Sequence, residues 1–215
     1  MNVVYAGPQE TGEQFTGRFA STSNSTTSPI NRISLNETLV PWDELAHYVA
    51  NGMIDDACID GPSTNLYGAS TANFDVANTR RLFDNYVDFV HNNPLAATTL
   101  VFNEIFGQQA VQAQPEDDTA VGNRPHMAVL TLAQAIYTDE SVAEVGDAWA
   151  RNWRDQLFEP EHSGYDQPAV YLNYAHGDEA PEAFYGWEPW RLERLRSLKE
   201  KYDPQGFFNS YHPFN

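Results

Sequence analysis

A single cysteine, Cys58, stands in 215 residues, so the chain can form no internal disulfide and no thiolate metal cluster. Its expected role is that of a small buried hydrophobe. Basic residues are also scarce: 12 Lys and Arg face 30 Asp and Glu, a formal net charge of −18. That excess repels nucleic acid and anionic membrane, and neither is expected as a partner. No apolar run approaches the length of a membrane span, and the opening "MNVVYAGPQE" lacks the basic and apolar regions of a signal peptide. A cytoplasmic location is the expectation if the chain is complete. Asn24 and Asn36 begin sequons, which matter only in a secretory pathway and arise by chance in a chain rich in Asn, Ser and Thr. Gly-rich phosphate loops are missing, so no segment reads as a pyrophosphate cradle. No His, Asp and Glu share metal-ligand spacing, and no metal site is expected.

What is present suits a folded core, with 41% hydrophobic and 20% charged residues over the length of one large domain. Residues 2–6, "NVVYA", read as a short strand, and Gly7-Pro8 opens a helix with Phe15 and Phe19 one turn apart. "STSNSTTSPIN" is a polar loop and "RISLNETLV" alternates like a strand. Pro41 starts a helix with Trp42, Leu45 and Val49 on its apolar side. Residues 52–73 show little periodicity and read mostly as loop. Asp75 is placed to cap a helix carrying Val76, Phe83, Tyr86, Val87 and Val90. "ATTLVFNEIFG" and "PHMAVLTLAQAIY" read as central strands around the polar loop "QPEDDTAVGNR". Asp139 caps a long helix with Val142, Val145, Trp149 and Trp153 inward, and "PAVYLNYA" reads as another strand. The last helix starts near Glu188-Pro189 and aligns Leu192, Leu195, Leu198 and Tyr202 before Asp203-Pro204 ends it. The pattern predicts an α+β fold, an antiparallel sheet with helices packed on one face. Residues 1–165 are assigned to the sheet-bearing part, and 166–215 to a C-terminal segment packed into the same globular unit.

The closing stretch is the most specific. "YLNY", then "FYG", then Arg191-Leu192, "LKEKYDP", "FN" and "PF" resemble the C-terminal signature of berberine-bridge-type FAD-linked oxidases. Upstream, "NLYGAS", "TTLVFNEIFG" and "AQPEDDTAVGNR" follow in the order of the fungal branch, in weaker form. The resemblance implies the substrate domain of the FAD-linked oxidase fold. In that family an N-terminal domain supplies most flavin contacts, and the sequence shows no trace of it. Two departures stand out. Glu188 occupies a turn position where Asn is usual. The strand "MAVLTLAQAIY" offers only Thr131 and Gln134 as polar groups where plant members place a base.

The resemblance also selects Tyr174, matched to the tyrosine that the family places over the flavin as an acid/base. A phenol ordinarily titrates near 10, so it donates a hydrogen bond unaided but needs a cation or strong hydrogen bonds to act as a base. In a strand, alternation puts Leu172 and Tyr174 on one face, Tyr171 and Asn173 on the other. Glu104, flanked by Phe102 and Phe106, sits either on a partly polar face or near a pocket that raises its pKa. Tyr174 and Glu104 are therefore the candidate catalytic residues, with Asn173, Tyr171, Gln134 and Phe102 as candidate substrate-binding residues. Structural uses are expected elsewhere: a salt bridge from Arg124 to Asp117 or Asp118, a hydrogen-bonded His126, and a bond shared by His176 and Asp178.

Three functions are open, and the first is placed ahead of the other two. The first is a flavin-free catalyst for cyclisation, isomerisation or a pericyclic reaction, such as a Diels–Alder-type step, on a small secondary metabolite; it needs no cofactor. The second is the substrate-binding half of an FAD-dependent oxidoreductase, in which FAD arrives only with a separate FAD-domain chain. The third is a non-catalytic binding protein. The expected partner is a small-molecule substrate, with a homodimer or an FAD-domain chain also open.

Overall fold

The computed structural model describes residues 4–22, 37–52, 60–210 and 212–213. They fall into two units, Met1–Asp60 and Gly61–Asn215. In the first, α1 (Gln9–Thr22) begins after Pro8, whose carbonyl accepts from the backbone N–H of Thr11 and Gly12. α2 (Leu45–Tyr48) is a single turn between two 3₁₀ turns, Trp42–Glu44 and Val49–Gly52. Two expectations change here. Residues 4–6 are exposed and irregular rather than a strand, and no strand lies beside them among the described residues. The helix after Pro41 breaks into short turns with Trp42 78% exposed, because one turn buries too little apolar surface to propagate. Of "RISLNETLV", residues 37–40 are irregular; residues 32–36, Cys58, Asn24 and Asn36 lie outside the described residues.

The second unit runs β1 (Ser63–Thr71), α3 (Val76–Asn92), β2 (Leu100–Ile105), α4 (Gln109–Gln112), β3 (Val129–Tyr137), α5 (Ala143–Phe158), α6 (Pro160–Ser163), α7 (Pro181–Tyr185) and α8 (Pro189–Tyr202). The strands form one sheet in the order β1-β3-β2, with both pairings antiparallel. β3 is central and almost wholly buried, as its continuous apolar run requires. β1 overturns the loop expected from its Ser, Thr, Asn and Gly. Continuous pairing with β3, from Ser63 opposite Tyr137 to Thr71 opposite Val129, outweighs its weak propensity.

One sheet face meets the helices. Tyr67, Ala69, Ala133, Ala135 and Tyr137 pack there against Leu82 and Phe89 of α3 and Trp149, Ala150, Trp153 and Leu157 of α5. Each large side chain so buried contributes roughly 1.5–3 kcal/mol. The indole N–H groups of Trp149 and Trp153 both donate to Asn85 Oδ1, at 2.8 and 3.1 Å, which satisfies two donors carried into the core. Asp75 caps α3 as expected, accepting from the N–H of Ala77 and Asn78 at 2.9 and 3.1 Å. The sheet takes the stripe of Asn78, Leu82, Tyr86 and Phe89, however, leaving Val76, Phe83 and Val87 exposed. Asp139 accepts from Ser141 N–H at 2.9 Å in the turn that leads into α5. Trp149 and Trp153 point inward as expected, whereas Val145 is exposed.

α8 buries Leu192 and half-buries Leu195 and Leu198, but leaves Tyr202 71% exposed. Its anchor is polar. Arg191 is 1% exposed and donates through Nη1 to Thr119 O at 3.2 Å and through Nη2 to Glu116 O at 2.9 Å. Its Nε–H reaches Glu188 Oε2 at 3.1 Å. Burial works against the Glu188 carboxylate, yet the bond from Arg191 outweighs it and holds the group below its ordinary pKa. The Glu188 carboxylate is thus matched by a buried cation. Arg191→Met should cost about 3–5 kcal/mol, because it strips the partner from two partly exposed carboxylates, Glu188 and Glu116, and from loop carbonyls. Urea unfolding of the two proteins measures this, and a difference below about 1 kcal/mol would contradict the anchoring role.

Candidate functional site

The second face of the sheet carries the even-numbered positions of the strands. Register places Phe102 and Gly68 on either side of Leu132, and Glu104 opposite Leu130. The segment after β1's edge then crosses this face. Ser70 N–H donates to Ala169 O at 2.8 Å, Val170 N–H turns away to Ala183 O, and residues Leu172–Tyr174 close into a 3₁₀ turn. The expected strand over 168–175 is therefore absent, since one bond to β1 is all the pairing the segment finds before it turns.

Gly68 permits the approach. A Cβ at that position would lie 2.7 Å from both the Cβ and the carbonyl oxygen of Tyr174, so no larger residue fits without displacing the turn. From this perch the Tyr174 side chain reaches across β3 to β2. Its hydroxyl donates to Glu104 Oε2 at 2.7 Å, and its ring meets Phe102 edge-on at 6.1 Å. Burial pushes the Tyr174 phenol up and the Glu104 carboxylate adds to this, bringing it to about 12. At neutral pH Tyr174 is a hydrogen-bond donor, with Glu104 as its acceptor.

Tyr171 corrects the face assignment. In a 3₁₀ turn residues three apart eclipse, so Tyr171 stands beside Tyr174 rather than opposite it. Their rings meet edge-to-face at 5.2 Å, and Tyr174 N–H donates to Tyr171 O at 2.8 Å. Asn173 Nδ2 donates to the Tyr171 hydroxyl at 2.8 Å. The structure thus brings Tyr174, Glu104, Phe102, Tyr171 and Asn173 together. Gln134 lies on the same face but farther along β3, opposite Leu66 and Leu100.

The remaining polar residues are structural. Among the described residues Arg124 meets no carboxylate; it is buried and donates to Pro115 O at 2.7 Å and to Thr119 Oγ1. The loop acid that reaches a buried cation is Glu116, whose Oε2 accepts from Arg191 Nη2 at 3.3 Å. His126 packs edge-on against Tyr165 at 4.5 Å, and its buried Nδ1 has no partner among the described residues. His176 and Asp178 do not share a bond. The His176 ring stacks on Tyr67 at 4.1 Å with Nδ1 3.1 Å from Leu66 O, while Asp178 pairs with Arg154 and Arg151. Sequence reasoning missed Gly68, although it lies within "NLYGAS". It also missed Arg154 and Glu179, whose pairing no local pattern announces. A cleft of about 220 Å³, lined by Leu82, Tyr86, Val101, Thr131 and Trp153 among others, opens on the opposite, helix-covered face and shares no residue with the Tyr174–Glu104 pair.

Fit to a dinucleotide can be tested on the helix ends, where phosphates bind best. Asp75 caps α3, Asp139 caps the turn before α5, Glu188 precedes α8, and Glu10 lies in the first turn of α1. Each long helix among the described residues thus already has an acid where a phosphate would sit. An acid at a helix start repels a phosphate there; the sheet face away from the helices carries instead the Tyr174–Glu104 hydrogen bond.

An antiparallel sheet, backed by helices and crossed by a tyrosine-bearing turn, defines the class: an α+β domain. Residues 170–213 match the family model described as berberine and berberine like. The FAD-linked oxidoreductase anuG of Penicillium roqueforti is 30% identical over 209 residues, covering 97% of this chain and 39% of that protein. Among solved structures, a variant of Physcomitrella patens BBE-like 1 superimposes with a TM-score of 0.65 at 15% identity, covering 98% of this chain and 44% of that one. The carbohydrate oxidase from Microdochium nivale, in complex with a substrate analogue, does so with a TM-score of 0.60 at 18% identity, covering 98% and 43%. The chain thus carries the berberine-like C-terminal segment and is homologous over nearly its whole length to berberine-bridge-like, FAD-linked oxidoreductases, of whose length it spans about two fifths.

A phenol held above its ordinary value contributes stability that is complete below about pH 10 and is lost as pH rises toward about 12. Tyr174→Phe should therefore lose less stability than the parent across that window. Denaturant melts at the two ends of the window measure it, and equal losses would mean that Tyr174 does not meet Glu104.

Proposed function

We propose that this chain carries the substrate-side acid/base pair of an FAD-linked oxidoreductase acting on the hydroxyl group of a small molecule. The observation that carries the reading is the 2.7 Å bond from Tyr174 to Glu104 on an open sheet face. A phenol at about 12 is a poor base alone. Paired with a carboxylate it need never become a free phenolate. As a substrate hydroxyl gives its proton to Tyr174 Oη, Tyr174 passes its own proton to Glu104, which ends the step protonated. Phe102 and Tyr171 wall the ring and fix its tilt. FAD supplies the electron acceptor in relatives bearing that name; here its phosphates would need polypeptide other than the described residues.

The same pair also supports a flavin-free reading, because donor and acceptor both come from this chain. Tyr174 could polarise a carbonyl while Glu104 accepts a proton, in a cyclisation or isomerisation of a secondary metabolite. The oxidoreductase reading is preferred because the relatives matched over nearly the whole chain carry that name.

Purification of the polypeptide or complex that contains this chain from its own cells decides between them. A yellow preparation whose flavin band bleaches anaerobically with a panel of primary and secondary alcohols is the expected result. Tyr174→Phe and Glu104→Gln should each slow bleaching by about 10²–10⁴-fold. A colourless preparation that converts a metabolite supports the flavin-free reading, and a colourless, inert one supports binding alone.

A further inference from the structure

Tyr174 is held at one end by its own 3₁₀ turn and at the other by a turn that lies two residues on. That second turn has an unusual anchor. Glu179, its side chain 1% exposed, accepts from His176 N–H through Oε1 at 3.0 Å and from Gly177 N–H through Oε2 at 2.8 Å. Each carboxylate oxygen thus binds one backbone donor of the turn. The same Oε1 receives Arg154 Nη1–H at 3.0 Å, which supplies the counter-charge that a buried carboxylate needs.

Arg154 itself is fixed to the helical layer. It rises from α5, 5% exposed, with its guanidinium 5.5 Å above the Tyr67 ring and 5.7 Å from the Phe158 ring. It also binds both oxygens of Asp178 and the more exposed Asp155. Tyr67 in turn carries the stacked His176 ring on β1. A continuous chain of contacts therefore runs from α5, through Arg154 and Glu179, to the amides of residues 176 and 177. Those residues set where the backbone of Tyr174 rests on Gly68. A hydroxyl that must meet Glu104 at 2.7 Å tolerates little displacement of that backbone.

We propose that Arg154 and Glu179 are positioning residues: their buried ion pair pins the His176–Glu179 turn and thereby holds the Tyr174 hydroxyl on Glu104. The inference rests on Tyr174 and Glu104 being the acid/base pair, but its geometry stands without any turnover. Neither residue touches the sheet face on which substrate would lie; both act through the turn.

The test uses the full chain with a difluorotyrosine at position 174, whose electron-poor phenol ionises in the neutral range, read by fluorine NMR. In the parent this phenol should titrate above the free amino acid, as burial and Glu104 require. In Glu179→Gln and Arg154→Met it should fall by roughly one unit or more toward the free value. Asp155→Asn, on the solvent side of the same guanidinium, should leave it unchanged. A folded Glu179→Gln protein with an unaltered titration overturns the proposal and leaves Glu179 with stability alone. Should both variants fail to fold, hydrogen exchange in the parent still decides. The His176 and Gly177 amides should be protected despite their place in a surface turn, and exchange at open-loop rates would overturn the anchor. A titration that shifts as stated in a protein that oxidises no alcohol would sustain the positioning and sink the oxidoreductase reading instead.

Discussion

The close approach of Tyr174 to Gly68 is the constraint on which the rest of the second unit depends. A turn can lie against a sheet at that distance only where the strand offers no side chain, and β1 offers none at residue 68. Once the turn rests there, a tyrosine ring is long enough to cross the central strand and end on Glu104. Register then makes Phe102 its neighbour, since Phe102 and Gly68 flank the same residue of β3. One missing methyl group thus joins a turn 106 residues later in the chain to the opposite edge of the sheet.

Scarcity of positive charge shapes how the unit is held. With 12 basic residues against 30 acidic ones, the cations that are buried serve several acceptors each. Arg191 gathers the loop around residues 116–121 onto α8, and Arg154 gathers Asp155, Asp178 and Glu179 onto α5. Some of the remaining acids stand at helix starts, as Asp75 does before α3, where the backbone N–H groups and the helix dipole stabilise them. The described residues so held form an antiparallel sheet backed by helices.

Much of this was legible in the sequence, for identifiable reasons. α3 and α5 combine acid caps with long apolar periodicity, and β3 is a near-continuous apolar run, so local signals agree with tertiary packing. β1 was not legible: Ser, Thr, Asn and Gly are poor strand formers, and it is the partner β3 that makes it a strand. Residues 168–175 mislead in the opposite sense, since Val, Tyr and Leu favour strands while the segment bonds to the backbone of β1 at Ala169 and then turns. Alternation put Phe102 and Glu104 on one face correctly, and the family pattern pointed to Tyr174. Tyr171 went to the wrong face because a 3₁₀ turn has period three and a strand has period two. Arg154 and Glu179 lie 25 residues apart, with nothing between them that predicts a contact.

The shared carboxamide of Asn85 has an optical consequence. Trp149 and Trp153 lie 5.2 Å apart with Phe89 stacked on the former, and both indoles donate to one oxygen. Excitation shared by this pair reports on the joint between α3 and α5. Near-ultraviolet dichroism at the indole bands can therefore follow loosening of the helical layer, whereas the tyrosine bands stay mixed, because Tyr67, Tyr86 and Tyr137 belong to that layer and Tyr171 and Tyr174 to the other face.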